Sequence, residues 1–191
     1  MKVKFLITLL MFASTATAQL PAPQPVAVLD LDRYAGQWHE NAALPNRFQR
    51  DCARDTTAHY RVLSDRQLEV RNRCTRADGT VEEASGRARP GDRPGTLKVA
   101  FANLFGWWLW PFAGDYWVLA VSPDYRWAVV GHPELEYGWV LARDTRLQRE
   151  ERESILEVLR AQGYDPCALV TTPHPKGELQ KGAFCQSASA L

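Results

Sequence analysis

The sequence predicts an all-β protein: an eight-stranded up-and-down antiparallel β-barrel with one C-terminal α-helix. Eight short strand-like runs follow one another between Trp38 and Arg143, and turn-forming residues separate them. Beyond residue 144 the apolar residues no longer recur at every second position but at the three- to four-residue spacing of a helix. A sandwich of eight strands is the alternative, but closure into a barrel removes exposed sheet edges and leaves room for one small ligand.

The N-terminal residues 1–18 have the features of a secretory signal peptide. Lys2 and Lys4 precede an apolar run that is too short to span a bilayer permanently, and Ala16-Thr17-Ala18 precedes Gln19. A buried N-terminal helix is the alternative. Residues 19–30 are a proline-rich leader, residues 31–163 the barrel with its helix, and residues 164–191 a C-terminal tail. We therefore expect a periplasmic or secreted protein, soluble after cleavage of the signal peptide.

The first four strands are predicted over residues 38–43, 56–63, 67–73 and 81–89. Gly36 permits a sharp bend into the first of them, and a long loop over 44–51 connects it to the second. The third strand has the clearest alternation of apolar and polar residues. On the fourth, the apolar face carries only the small residues Ala84, Gly86 and Ala88, which predicts space inside the barrel.

The remaining strands are predicted near residues 97–101, 115–121, 127–130 and 137–143. An aromatic loop, residues 102–114, lies between the fifth and sixth strands and contains Phe105, Trp107, Trp108, Trp110 and Phe112. The pattern Thr145-x-x-Gln148 then predicts a capping box. It begins a helix with an apolar stripe of Ile155, Leu156 and Leu159 that ends at Gly163.

Three motifs resemble the bacterial lipocalins, which include outer-membrane and apolipoprotein D-like members. They are the run from Leu31 to Gln49 that contains Gly36-Gln37-Trp38, the segment Ser122-Pro123-Asp124-Tyr125-Arg126-Trp127, and Trp139-Val140-Leu141-Ala142-Arg143. The resemblance covers residues 31–163. Such lipocalins are often lipid-anchored through a cysteine at the cleavage site. Here the first cysteine is Cys52, so no such anchor is expected.

The resemblance and the strand order together define two ends of the barrel. A structural closed end would contain Gly36, Trp38, Asp124, Tyr125 and Arg143, and the resemblance implies that the Arg143 guanidinium stacks over the Trp38 indole. The loops 44–54, 75–80, 102–114 and 131–136 would form the mouth. We assign no catalysis to the closed end.

Alternation predicts which side chains face a ligand inside the barrel: Glu40, Ala42, Tyr60, Val70, Asn72, Ala84, Gly86, Leu97, Val99, Phe101 and Trp139. An apolar pocket with a few polar groups binds a hydrophobic guest in a fixed pose. The alternative is that these residues pack a solid core. The resemblance implies binding and storage or transport of a small hydrophobic ligand, a fatty acid or a lysophospholipid. The aromatic loop is then a lid, a docking surface for transient membrane contact, or a homodimer contact.

Four cysteines in an oxidising compartment predict two disulfides, for which three connectivities exist. Cys52 precedes the second strand and Cys74 ends the third, and both lie at the mouth of neighbouring antiparallel strands. We therefore predict pairing of Cys52 with Cys74, which leaves Cys167 to pair with Cys185 in the tail.

Composition and motifs favour a binding protein over an enzyme. Net charge is +1 without a basic cluster, so no nucleic-acid partner is expected. No nucleophile elbow, phosphate loop or dinucleotide fingerprint is present, and the histidines lack metal-ligand spacing, so we predict neither cofactor nor metal. The alternatives are an enzyme acting on a bound lipid or isoprenoid and a protein-interaction module that uses the tryptophan-rich loop.

Overall fold

The computed structural model describes residues 23–63, 66–177 and 180–186. The predicted signal peptide, the first residues of the proline-rich leader and the end of the tail lie outside these ranges. A short helix, α1 (Leu31–Tyr34), begins after Asp30, whose side chain accepts hydrogen bonds from the backbone of Asp32 and Arg33. This helix sits at the entry to the first strand.

Eight strands form a closed antiparallel barrel, as the sequence predicts. Strands adjacent in the barrel pair antiparallel, and the eighth pairs back with the first. In chain order the strands are β1 (Gly36–Ala43), β2 (Cys52–Val62), β3 (Leu68–Arg76), β4 (Val81–Pro90), β5 (Thr96–Ala100), the small hairpin β6 (Asn103–Leu104) and β7 (Trp107–Trp108), then β8 (Gly114–Val121), β9 (Trp127–Gly131) and β10 (Gly138–Ala142). The hairpin belongs to the aromatic loop, and the other eight strands form the barrel.

The C-terminal helix α2 (Arg149–Ala161) begins later than predicted. Its N-cap is Gln148, whose backbone N–H donates to the Glu151 carboxylate at 2.8 Å, so the Thr145-based capping box is wrong. Leu147 is buried between helix and barrel. The chain bends over residues 143–146, and the helix begins two residues after Leu147.

The tail returns to the barrel instead of only wrapping around it. Its short strand β11 (Val170–Thr171) pairs with Ala42 and Ala43 of β1, beyond the point at which β1 leaves β2. Both predicted disulfides are confirmed. Cys52–Cys74 joins β2 to β3, and Cys167–Cys185 closes the tail.

Two apolar clusters stabilise this arrangement. One fills the closed half of the barrel and contains Tyr34, Trp38, Leu68, Ala88 and Leu97. The other lies between the outer barrel wall and α2, and its fully buried members include Ala42, Val129, Val140, Ile155 and Leu159. Because the helix covers β9 and β10, these strands are buried on both faces and show no clean alternation. Across the described ranges, none of the helices has both the length and the apolar character that crossing a membrane requires.

Candidate ligand-binding site

The barrel encloses a cavity of about 600 Å³ between the closed half and the mouth loops. This volume lies within the range of small-molecule sites. Of the residues predicted to face a ligand, those on the cavity wall are Glu40, Tyr60, Val70, Asn72, Ala84, Val99, Phe101 and Trp139. Alternation along β2 and β3 places Tyr60, Val70 and Asn72 there, because the ladder between these strands is regular from Thr57 to Val62.

Ala42 does not reach the cavity, because β1 contains a bulge. Glu40 pairs with Leu141 and Ala42 with Val140, so Asn41 is the additional residue on this strand. The bulge moves the next side chain to the opposite face, and Ala42 packs against the helix side of the wall. Glu40, before the bulge, still faces inward.

Gly86 and Leu97 point inward but lie outside the cavity wall. A Cβ at Gly86 would lie 2.8 Å from the Ala100 carbonyl oxygen and 2.9 Å from the Phe101 ring, so this glycine makes room for a neighbouring aromatic ring and not for a ligand. Leu97 is buried in the closed-half cluster with Ala88. Of the small residues on β4, only Ala84 lines the cavity.

Several wall residues were missed by the sequence analysis. The loop after β1 contributes Asn46, Arg47, Phe48 and Gln49, and β8 contributes Tyr116. Loops have no period from which their side-chain directions follow. On β8 apolar residues occupy both faces and a bulge lies between Val118 and Ala120, so alternation gives no clear direction. Phe112, His132 and Tyr137 from other mouth loops complete the upper wall.

Three tyrosine hydroxyl groups form a chain at the closed side of the cavity. The hydroxyl of Tyr116 lies 2.7 Å from that of Tyr34 and 2.9 Å from that of Tyr60. Burial raises the pKa of Tyr60 to about 12 and raises the pKa values of Tyr34 and Tyr116 well above their usual range. All three groups therefore stay neutral at physiological pH. We call these three residues the tyrosine chain.

A second polar group, around Glu40, lies higher on the wall. Glu40 is 6% exposed and accepts hydrogen bonds from Gln49 Nε2 and from Thr172 Oγ1, the latter at 2.6 Å. Gln49 Oε1 in turn accepts from the Trp139 indole at 3.1 Å and from Asn46 Nδ2 at 2.6 Å. Burial raises the pKa of Glu40, although both hydrogen bonds oppose that shift. The network fixes the mouth loop against the barrel wall.

At the opposite end, the structure places the five predicted closed-end residues together. The Arg143 guanidinium lies 3.8 Å from the centre of the Trp38 ring and donates to the backbone carbonyls of Gln37, Arg33 and Ala35. Its Nε donates to the Tyr125 carbonyl at 3.2 Å. Burial lowers the pKa of Arg143.

Two further closed-end residues hold the turn between β8 and β9. Asp124 accepts from Ser122 Oγ at 2.7 Å, and Tyr125 has a left-handed φ of 60°. Gly36 bends at φ 94°, where an added Cβ would lie 3.3 Å from Arg143 Nη1. These contacts support a structural role for this end of the barrel.

The aromatic loop leaves several large apolar groups in solvent. Phe105 is 93% exposed and Trp107 80% exposed at the tip of the β6–β7 hairpin. Trp108 and Trp110 instead lie against Arg87 and Arg89 of β4, at 5.9 and 4.4 Å from ring centre to guanidinium carbon. Since Ala88 points inward, these arginines point outward, and this part of the loop packs on the outer wall. The lid interpretation is therefore limited to Phe112, which reaches the cavity.

One group of potential metal ligands lies in a mouth loop. Ligand atoms of His132, Glu134 and Glu136 lie within 4.8 Å of one another, and both carboxylates are exposed. His132 Nδ1 already accepts from the Glu134 backbone at 3.3 Å, which leaves only Nε2 for a metal. Surface acidic groups commonly lie this close without an ion, so we assign no metal to them.

The geometry defines a class of protein: a closed eight-stranded barrel that is sealed at one end and whose lumen has room for one small ligand. The model of the lipocalin-like domain family matches residues 29–174. The chain belongs to the lipocalin family. This membership confirms the resemblance inferred from the three sequence motifs.

Individual relatives support the same assignment. Temperature-induced lipocalin-1 of Arabidopsis thaliana is 35% identical over 147 residues, which are 76% of this chain and 79% of that protein. The outer membrane lipoprotein Blc of Vibrio cholerae is 32% identical over 174 residues, covering 89% and 97%. Among solved structures, insecticyanin of the tobacco hornworm Manduca sexta superposes with a TM-score of 0.66 at 20% identity, covering 87% of this chain and 95% of that one. This last likeness concerns the fold.

Proposed function

We propose that this lipocalin binds and stores or transports a fatty acid or a lysophospholipid in the barrel cavity. The observation that carries the proposal is the cavity of about 600 Å³, whose wall exposes mostly apolar surface. Burial of an acyl chain contributes about 0.8 kcal/mol per methylene group. A 12-carbon chain therefore gains about 9 kcal/mol, part of which offsets the lost freedom of ligand and protein. Micromolar to nanomolar affinity is the expected result.

A basic residue at the mouth offers a partner for an anionic head group, and the carboxylates of Glu82 and Asp115 on the same wall are already paired with Arg76 and Lys98. Within the described ranges, Arg47 and Arg73 are the basic residues on the cavity wall. Arg47 belongs to the loop after β1, whereas Arg73 follows the inward-facing Asn72 on β3, so its side chain points to the outer face. The Arg47 guanidinium would pair with a carboxylate or phosphate that remains close to solvent. The acyl chain would then extend towards the closed half.

We propose a lipid membrane as the transient partner of the aromatic loop. Phe105 and Trp107 are largely exposed, and Phe48, 64% exposed, flanks the same mouth. Aromatic rings favour the headgroup region of a bilayer, and arginines near them attract anionic lipids. Docking there would place the cavity entrance beside its lipid source. The predicted signal peptide and the name of the Blc relative, an outer membrane lipoprotein, favour action in the cell envelope or outside the cell.

The test is a displacement titration with a fluorescent fatty acid, with saturated acids of 8–18 carbons and matching lysophospholipids as competitors. We expect one saturable site whose affinity rises about fourfold per methylene until the chain fills the cavity. Native mass spectrometry of the purified protein would give the mass of any bound ligand. Extraction of the lipids from the same sample would identify it. Absence of saturable displacement at every chain length would refute the proposal.

A separate measurement tests the membrane partner. The parent protein should co-sediment with vesicles of phosphatidylethanolamine and phosphatidylglycerol, and the variant Phe105→Ser/Trp107→Ser should lose most of this binding while retaining fatty-acid affinity. Concentration-dependent dimerisation that this variant abolishes, without vesicle binding by the parent, would assign the loop to a homodimer instead.

A further inference from the structure

The tyrosine chain contains one hydrogen-bond donor more than it can use. Three hydroxyl groups offer three protons, but the chain has two hydrogen bonds, Tyr34 to Tyr116 and Tyr116 to Tyr60. Within residues 23–63, 66–177 and 180–186, these hydroxyl groups form no other hydrogen bond. One O–H group therefore remains without an acceptor.

The unused proton belongs on the cavity side of the chain. Tyr34 is fully buried in the closed-half cluster, and an unpaired donor there would bear the full cost of desolvation. Tyr60 and Tyr116 line the cavity, where a guest oxygen can accept the proton. The lower-energy orientation thus has Tyr34 donating to Tyr116, and it leaves the free O–H at Tyr116 or Tyr60.

A second unsatisfied polar atom lies on the same wall. Asn72 Oδ1 is buried without a hydrogen-bond partner among the described residues. Asn72 follows Val70, the cross-strand partner of Tyr60, on the inward face of β3, and it lines the cavity. The wall therefore contains two polar groups that no described protein group satisfies, and Tyr60 or Tyr116 directs one of them, the free O–H, towards the cavity. A simple methyl-terminated chain would leave both unpaired.

The same region disfavours a charged oxygen. Arg143, a cation beside the closed-half cluster, lies beyond Trp38 and directs its guanidinium donors at backbone carbonyls. Arg47 and Arg73 belong to the mouth half of the cavity. A carboxylate next to the tyrosine chain would thus be desolvated without a counter-ion, which is costly. A hydroxyl or carbonyl group carries no such penalty.

We propose that the tyrosine chain is a subsite for a neutral oxygen, and that the ligand is an acyl chain oxygenated at or near its inner end, such as a hydroxy or oxo fatty acid. This inference rests on the proposed function for the position of the carboxylate at the mouth. The hydroxyl or ketone oxygen accepts from Tyr60 or Tyr116.

The experiment compares 12-hydroxydodecanoate with dodecanoate by calorimetric titration. The corresponding pairs of 10 and 16 carbons are included because the chain length that reaches the tyrosine chain depends on the depth of the cavity. For at least one chain length we expect the hydroxy acid to bind the parent protein as tightly as the unsubstituted acid or more tightly. On an apolar wall the buried hydroxyl would instead weaken binding about tenfold or more. In Tyr60→Phe/Tyr116→Phe, affinity for the hydroxy acid should fall about tenfold relative to that for the unsubstituted acid.

The control variant is Tyr125→Phe, which removes a hydroxyl group at the closed end that accepts from the Asp30 backbone and lies outside the cavity. It should leave the ratio of the two affinities unchanged. Equal losses for both acids in the double variant would overturn the subsite and indicate a packing role. A loss of affinity for dodecanoate alone would indicate that its carboxylate lies at the tyrosines. That result would also overturn the proposed subsite for a neutral oxygen.

Two results keep the inference separate from the proposed function. If the parent binds unsubstituted fatty acids but discriminates tenfold or more against every hydroxy acid, only the oxygen subsite is overturned. If it binds neither class, both proposals fail. The measurement on the parent protein decides the inference even if the double variant does not fold.

Discussion

Glu40 is a buried carboxyl group whose ionisation should be visible in stability. Burial raises its pKa above the usual value of 4.5. Its folded pKa therefore exceeds its unfolded pKa, and the folded state binds more protons in the interval between them. The stability that Glu40 contributes is present below pH 4.5 and is lost as the pH rises through the folded pKa.

We predict that Glu40→Gln, which cannot ionise, gains stability relative to the parent as pH increases above about 4.5. The measurement is a series of urea-unfolding curves between pH 4 and pH 8. Burial lowers the pKa of His39, so this residue also titrates, but it is present in both proteins. We therefore compare the difference in free energy of unfolding between variant and parent at each pH. A difference that stays constant across this range would show that Glu40 ionises normally.

Ala84 and Gly86 lie on the same face of β4 but have different roles. Ala84→Leu should place its side chain in the cavity, retain the melting temperature of the parent and reduce fatty-acid affinity about tenfold or more. Gly86→Leu should lower stability by roughly 1–3 kcal/mol or prevent folding, since its Cβ alone would collide with Ala100 and Phe101. Thermal melts beside displacement titrations separate the two effects. A stable Gly86→Leu variant with reduced affinity would mean that the cavity reaches deeper than described.

At the level of an element, the closed end depends on one cation. Arg143 connects the C-terminal end of β10 to α1 and to the start of β1 through its stack on Trp38 and its donors. We predict that Arg143→Ala lowers the free energy of unfolding by about 3 kcal/mol, because the buried carbonyl groups lose their partner. Urea unfolding monitored by tryptophan fluorescence measures this loss.

A matched control exists in Arg89, which stacks on Trp110 at the exposed outer wall. Arg89→Ala should change stability by no more than about 1 kcal/mol, since an exposed cation–π contact is weak. If Arg143→Ala changed the free energy of unfolding no more than Arg89→Ala does, the Arg143 contacts at the closed end would not be important for stability.

The sequence was informative where one physical signal acted alone. Along β3 one face is buried and one is in solvent, so alternation identified Val70 and Asn72 on the wall. It was misleading at β1, where the bulge after Glu40 reversed the direction of Ala42. It was silent on loops such as 44–51, because Arg47 and Gln49 are positioned by long-range contacts such as Gln49 with Trp139. The fold was thus predictable from the sequence, and the site only in part.

At the scale of the whole molecule, the barrel includes residues beyond its helix. β11 pairs with β1, Phe184 is fully buried against α2, and Lys181 Nζ donates to the Cys52 carbonyl at 3.2 Å. We predict that a chain ending after Gly163 loses several kcal/mol of stability or aggregates, whereas one ending after Gln186 behaves like the parent. Size-exclusion chromatography and thermal melts of both truncations test this. Equal melting temperatures would show that the tail is dispensable.

The pairing of β11 with β1 joins two segments separated by about 130 residues. β1 is complete as soon as the N-terminal part of the chain has left the ribosome or a translocation channel, but its partner at Ala42 and Ala43 is among the last segments to emerge. During synthesis the β1 edge at these residues therefore has unpaired backbone groups, and contacts this distant in sequence are slow to form. This edge of the barrel wall is therefore completed late, once the tail segment that contains Val170 and Thr171 is available to pair.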